Sequence, residues 1–207
     1  APLETIVETL EEETPNLYRV GHPPNPSGFQ ATPLMIGGVL YFNTPLSQGV
    51  AVDATTGETL WVFNPKSYEE GTTTMTGTWR QRGVAYWTDG AEDERIFWGT
   101  GNGYLVCVNA TSGQPCPDFG PDGSGMVDAM VGVPRANRDE RDYLNAMLYG
   151  IHSPPIVVRD RVIHGSHVAD RRITKEAVPG WVRAWNVRTG EHEWDFHTVP
   201  NTADEFG

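Results

Sequence analysis

Apolar residues in this chain come in short runs, each bounded by glycine, proline, asparagine or aspartate. Leu34-Met-Ile36 and Val39-Leu-Tyr-Phe42 flank Gly37-Gly38, and Ile156-Val-Val158 and Arg161-Val-Ile163 flank Arg159-Asp160. Two such runs around a two-residue turn read as a β-hairpin. Ala31-Thr-Pro33 leads into the first hairpin and Ser153-Pro-Pro155 into the second, so the pattern occurs twice. The runs are apolar at nearly every position instead of alternating, which predicts strands buried on both faces. They are too short for buried helices. More strands are expected at Gly83-Val-Ala-Tyr-Trp87, Arg95-Ile-Phe-Trp98 and Gly103-Tyr-Leu-Val-Cys-Val108. Three stretches break the pattern. Residues 3–13 set Leu3, Ile6, Val7 and Leu10 at helical spacing among glutamates, as a short acidic helix or a frayed tail. Residues 138–149 read as a helical turn or more. Residues 166–180 read as a long loop between strands, where sites on rigid scaffolds tend to sit.

A second signature occurs three times: Ala51-Val-Asp53, Thr56-Gly57 and Trp61; Cys107-Val-Asn109, Ser112-Gly113 and Pro117; Ala184-Trp-Asn186, Thr189-Gly190 and Trp194. It describes a strand ending in Asp or Asn, a turn, and a new strand. The Asp or Asn side chain caps the turn and the glycine supplies a positive φ. The terminal Trp buries a large flat surface between layers. The middle copy carries Pro117 where the others have Trp, and so reads as degenerate. Repeated turn signatures between small sheets predict an all-β chain, a partial β-propeller of about three four-stranded blades. A β-sandwich is the second architecture. Three blades do not close a ring, so the expectation is one incomplete propeller domain over 1–207. Its tail or short helix is 1–15, and its repeats are 30–207. Unclosed edges predict marginal stability for the chain alone.

Composition narrows the function classes. Glycine (23) and proline (16) make up almost a fifth of the 207 residues, too turn-rich for a helix bundle. The formal charge of −12 opposes binding to phosphate backbones, so no nucleic-acid partner is expected. An anionic membrane surface is disfavoured for the same reason. No apolar run reaches a membrane span. The opening Ala1-Pro-Leu-Glu has no basic start and no apolar stretch, so a signal is expected to have been removed, or the chain to start inside a larger protein. Cys107 and Cys116 either pair in an oxidising compartment or remain buried thiols.

These residues resemble the quinoprotein dehydrogenases that use pyrroloquinoline quinone (PQQ). The resemblance rests on the Asp/Asn-turn-Gly-Trp repeat, Gln30-Ala-Thr-Pro-Leu34, Arg82-Gly-Val-Ala-Tyr-Trp87, Asp93-Glu-Arg-Ile96, Ser153-Pro-Pro155, Phe196-His-Thr-Val-Pro200 and Glu205-Phe-Gly207. It implies an eight-bladed propeller with PQQ and a divalent metal, usually calcium, near the axis. It implies hydride transfer from an alcohol, sugar or polyol carbon to the quinone, with the metal polarising a quinone oxygen.

The implied cofactor-binding residues are Gln30, Arg82, His152, His167, Val168 and Ala169. Arg82 matches the arginine that binds a PQQ carboxylate, a planar pairing suited to guanidinium; Arg80 is a nearby competitor. Gln30 stands where relatives often carry Glu, and its amide binds hydrogen but is no base. His152 stands where relatives often carry Thr, as a donor to PQQ or as a satisfied core histidine. His167, Val168 and Ala169 match a stretch whose backbone lines the cofactor. Asp170 matches its closing carboxylate, an oxygen ligand for the metal. His164 and His167, three apart on an extended chain, face opposite ways and do not make a metal pair.

Two departures shape the reading. Thr76-Gly77-Thr78 replaces the adjacent cysteines of one alcohol-oxidising branch, which shifts the expectation toward glucose-, quinate- or sorbosone-type relatives. The family's stacking Trp, asparagine ligand and catalytic aspartate lie beyond Gly207, so no base is assigned; Asp204 and Glu205 are not candidates. The fragment alone is expected to be inactive. The resemblance also implies a quinone or cytochrome c acceptor and a bacterial periplasmic setting, attached to the inner membrane through parts outside this sequence. A non-enzymatic propeller scaffold of outer-membrane assembly is the alternative; it needs the Trp repeats but not Arg82 or Asp170. A carbohydrate-binding propeller is a third reading and predicts a row of solvent-facing tryptophans.

Overall fold

The computed structural model describes residues 28–67, 80–133, 149–168 and 180–198. Among them every regular element is a strand. The first sheet runs in order β1 (Leu34–Ile36), β2 (Val39–Asn43), β3 (Gly49–Asp53) and β4 (Thr59–Phe63). The second runs β5 (Ala85–Thr88), β6 (Glu94–Gly99), β7 (Tyr104–Asn109) and β8 (Met126–Asp128). After β9 (Tyr149–Gly150), the third is built from β10 (Ile156–Val158), β11 (Arg161–Gly165), β13 (Trp181–Asn186) and β14 (His192–His197). Every pairing is antiparallel. Between β11 and β13 the chain forms β12 (His167–Val168), which pairs with β9.

The turns form as their residues dictate. Gly37 and Gly38 both have positive φ (57° and 85°), as a two-residue hairpin turn requires. In the repeat, Asp53 Oδ1 accepts from the Thr55 and Thr56 amides, Asn109 Oδ1 from Thr111 and Ser112, and Asn186 Oδ1 from Arg188 and Thr189. Gly57, Gly113 and Gly190 close the three turns by donating to the Asp or Asn carbonyl, each at 2.9 Å.

Aromatic side chains then dock one sheet on the next. The Trp61 ring lies over Gly113, where a Cβ would sit 2.5 Å from a ring atom, and its Nε1 donates to Ala110 O at 2.9 Å. Trp98 covers Gly49 in the same way and donates to Ser47 O at 2.8 Å. Between the second and third sheets Phe119 approaches Gly190 and packs edge-on against Phe97. The middle repeat is therefore not degenerate in function: Phe119, two residues past Pro117, takes the place of the missing Trp.

Two buried arginines bind the second sheet to the third. Arg95 pairs with Asp93 and Asp118 and donates to the carbonyls of Val187 and Arg188. Burial opposes its charge, but those two carboxylates raise its pKa overall. Arg183 lies against the rings of Trp181 and Trp185, pairs with Asp195 and donates to Ala129 O. Neither arginine's structural duty was legible in the sequence.

The expected three four-stranded sheets are present, and four details differ. The apolar hairpin strands are not buried on both faces: Leu34, Ile36 and Val157 pack inward, whereas Met35, Ile156 and Val158 are exposed. Period-two alternation holds, and no described element covers the outer side. Trp194 is 39% exposed instead of docked, because no described sheet follows β14. His167 and Val168 lie in a strand and not in the long loop expected over 166–180. Tyr149, at the end of the expected helical stretch, is also a strand residue. Residues 3–13, 138–148 and 169–179 lie outside the described residues, so the expectations for them stand apart from the fold.

Gly113→Ala introduces both a strained positive φ (68°) and a clash with the Trp61 ring. Gly57→Ala introduces only the strain, since nothing lies within 4 Å of its Cβ position. Gly57→Ala is expected to cost about 1–2 kcal/mol of stability, and Gly113→Ala about 1–3 kcal/mol more from overpacking. Denaturation of the two variants in the full-length protein reads the difference; equal losses would remove the docking from the account.

Candidate functional site

The three sheets meet along their first strands, and backbone hydrogen bonds stitch them together there. The Thr32 amide, just before β1, donates to Arg82 O at 2.9 Å. The Arg82 amide, just before β5, donates to His152 O at 3.0 Å. Gly83 makes this approach feasible: a Cβ there would lie 3.1 Å from Thr32 O and 3.5 Å from Pro154 Cβ. Residues far apart in sequence thus become neighbours in one row.

Gln81 sits behind that row and is 2% exposed. With its amide oriented to suit its surroundings, Nε2 donates to Gly99 O (3.1 Å) and Ile151 O (3.3 Å). Its Oε1 accepts from Gly101 N (3.2 Å) and Ser47 Oγ (3.1 Å). One side chain therefore joins the loop after β2, the end of β6 and the start of the third sheet. The residue was missed from sequence because a glutamine between two arginines carries no periodic or motif signal. Its burial is what marks it.

Against this backbone the imidazoles of His152 and His167 stack, with centroids 4.9 Å apart and planes 5° from parallel. The β9–β12 pair sets the stack, since His167 is the register partner of Gly150. Gly150 leaves the space: a Cβ there would lie 3.0 Å from His152 Nε2. Burial pushes the His152 pKa down to about 4, with further lowering by His167, Arg82 and Arg80. Both arginines are therefore close enough for their charge to act on His152. Arg82 itself is exposed. Arg80 Nε is buried and has no hydrogen-bond partner among the described residues. A buried, unanswered guanidinium N–H is costly and marks a place where an acceptor belongs.

The structure thus brings together Arg82, His152 and His167, and adds Arg80. Gln30 is exposed two residues before the Thr32 link and makes no side-chain hydrogen bond among the described residues. Val168 contributes its backbone as the partner of Tyr149. Ala169 and Asp170 lie outside the described residues, and no cluster of three or more metal-ligating side chains occurs among the described ones. His164 and His167 are separated as expected. His164 is buried, receives the Trp185 Nε1–H at 3.0 Å and turns Nδ1 to Gly165 O at 3.1 Å.

His152 and His164 are both pushed down to about 4, chiefly by burial. In the unfolded chain each takes up a proton near pH 6.5. Their contribution to stability is therefore complete above pH 6.5 and is lost as pH falls from there toward 4. Denaturant titrations across that window are expected to show the fall, and it should shrink in a His164→Gln variant. Histidine resonances titrating near 6.5 at both sites would contradict the burial argument.

Comparison with known proteins identifies the family and the fold. Residues 11–206 match the PQQ family model of the glucose/ethanol/alcohol dehydrogenase β-propeller domain. The chain is 30% identical over 176 residues to the quinohemoprotein alcohol dehydrogenase ADH IIB of Pseudomonas putida, covering 85% of this chain and 21% of that one. It is 30% identical over 185 residues to quinoprotein glucose dehydrogenase A of Acinetobacter calcoaceticus, covering 82% of this chain and 22% of that one. The solved quinohemoprotein alcohol dehydrogenase ADHIIG of Pseudomonas putida superimposes with a TM-score of 0.59 at 27% identity, over 84% of this chain and 21% of that one. The chain therefore spans about a fifth of the length of these relatives. With the match running over nearly all of its residues, the chain belongs to the PQQ β-propeller family of glucose, ethanol and alcohol dehydrogenases.

Proposed function

We propose that this chain is part of a PQQ-dependent dehydrogenase that oxidises the CH–OH carbon of an alcohol, sugar or polyol. The observation that carries the reading is that Arg82 and Arg80 lie close enough for their charge to act on His152, which is stacked on His167. The residues fit the cofactor. PQQ is flat, aromatic and multiply acidic; two guanidinium groups meet carboxylates, and the unpartnered Arg80 Nε–H asks for an acceptor. When bound, the quinone supplies the two-electron acceptor for the substrate's hydride.

This chain's own residues bind and orient. Arg82 holds a cofactor carboxylate, and Arg80 adds a second cation. His152, neutral at pH 7, offers a ring nitrogen without bringing a charge of its own. Gln30 offers its amide from the first sheet. The backbone of His167, Val168 and Ala169 lines the cofactor, and Asp170 gives an oxygen ligand to a divalent metal such as calcium. None of the chain's residues is assigned as the proton-accepting base. Alcohol and glucose dehydrogenases are similar to it at the same identity, so the substrate is proposed only as a CH–OH compound. The electron acceptor is a quinone or cytochrome c. The setting is the bacterial periplasm, with attachment to the inner membrane through parts outside this sequence.

The scaffold alternative requires docking aromatics but has no use for two arginines on a histidine stack. The carbohydrate-groove alternative is not supported, because Trp61, Trp87, Trp98, Trp181 and Trp185 are buried.

The test is a calorimetric titration of PQQ into the full-length protein with calcium present. Arg82→Ala and Arg80→Ala are each expected to weaken binding about tenfold to hundredfold, the worth of a charge-assisted hydrogen bond of about 1.5–3 kcal/mol. Asp170→Ala is expected to remove the calcium dependence. A folded full-length protein that binds no PQQ would overturn the reading and favour the scaffold.

A further inference from the structure

The middle copy of the repeat has lost its Trp and carries two cysteines that neither other copy has. Cys107 lies in β7, and Cys116 lies beyond the Asn109 turn. The chain folds back there: Val108 bridges Pro115, and the Cys116 amide donates to Cys107 O at 3.1 Å. Gly125 closes the other side, accepting from the Cys107 amide at 2.8 Å, and a Cβ on it would lie 2.5 Å from Cys107 O. The backbone around the pair is therefore held from both sides. The two side chains meet in the core, with sulfur atoms 2.8 Å apart and both residues buried.

From this geometry we infer that Cys107 and Cys116 form a structural disulfide that braces the middle repeat. The bond ties β7 to the segment that delivers Phe119 to Gly190, the aromatic contact that replaces the missing Trp. A fixed Cys116 holds the start of that segment in place, and the Cys116 carbonyl accepts the Phe119 amide at 3.0 Å. Both cysteines are buried, out of reach of a carrier protein once the chain has folded, and burial also pushes the Cys107 thiol above its ordinary value. The bond therefore forms as the chain folds.

The chemistry is thiol–disulfide exchange with an oxidised dithiol carrier protein. One cysteine loses its proton and attacks the carrier's S–S bond, giving a mixed disulfide and releasing one carrier thiolate, which takes up a proton. The second cysteine, deprotonated, attacks the mixed disulfide, and the carrier leaves as a dithiol. Two cysteine thiols are oxidised, one carrier disulfide is reduced, and the two protons balance. Such carriers act in oxidising compartments.

The test uses full-length protein recovered from an oxidising compartment. The protein is denatured in iodoacetamide without reductant, digested, and analysed by mass spectrometry. The expected result is a cross-linked pair of peptides carrying Cys107 and Cys116, unalkylated, that separates on reduction. Full alkylation of both residues without reductant would overturn the inference. Stability provides a second reading. The Cys107→Ala/Cys116→Ala variant is expected to melt roughly 1–3 °C lower, as loss of a short-loop disulfide implies for a protein several times the length of this chain. Wild-type protein refolded in reductant should fall by the same amount, while the variant should not respond to reductant. A wild-type Tm indifferent to reductive refolding would count against the brace, and the mass measurement decides even if the variant fails to fold.

Discussion

The structure depends on one steric fact: an aromatic ring from one sheet rests on a glycine of its neighbour. Trp61 on Gly113 and Trp98 on Gly49 occupy space that a Cβ would fill, and at Gly190 Val127 takes that space with the Phe119 ring beside it. The missing Cβ lets sheets approach to ring-contact distance, and the indole N–H groups find backbone carbonyls at that spacing. The capped turns matter because they present the glycines Gly113 and Gly190. Once this spacing is set, the sheets' first strands come close enough for Thr32, Arg82 and His152 to link across sheets. The site is thus a consequence of docking and not an independent construction.

The electrostatics of that site run against those of the chain. A protein with net charge −12 places Arg80 and Arg82 beside a histidine stack at the junction of its sheets. Burial keeps His152 neutral, so the local positive charge comes from guanidinium groups that do not titrate near neutral pH. Elsewhere buried arginines are fully answered: Arg95 by two carboxylates and two carbonyls, Arg183 by Asp195 and Ala129 O. Arg80 Nε differs in having no acceptor among the described residues.

Much of the fold was legible because its signals are local. Asp53, Asn109 and Asn186 with their glycines announce turns within a few residues, and apolar runs on either side can only be short strands. The site was legible in part, and only through resemblance: Arg82 and His152 are unremarkable singly, and their meeting is a long-range event. Gln81 was invisible because its four partners come from three separate segments. Phe119 was overlooked because the repeat placed its aromatic two residues earlier, at Pro117. The exposure of Met35, Ile156 and Trp194 escaped prediction because apolar patterning records what a residue suits, not which described neighbour covers it.

The central claim is that the junction of the three sheets, at the His152–His167 stack, is where a planar acidic cofactor sits. A crystal structure of the full-length protein loaded with PQQ tests it most directly. The account predicts electron density for the quinone at that stack, with carboxylates in hydrogen-bond contact with Arg82 and Arg80. A cofactor bound elsewhere, with both arginines turned to solvent, would contradict it.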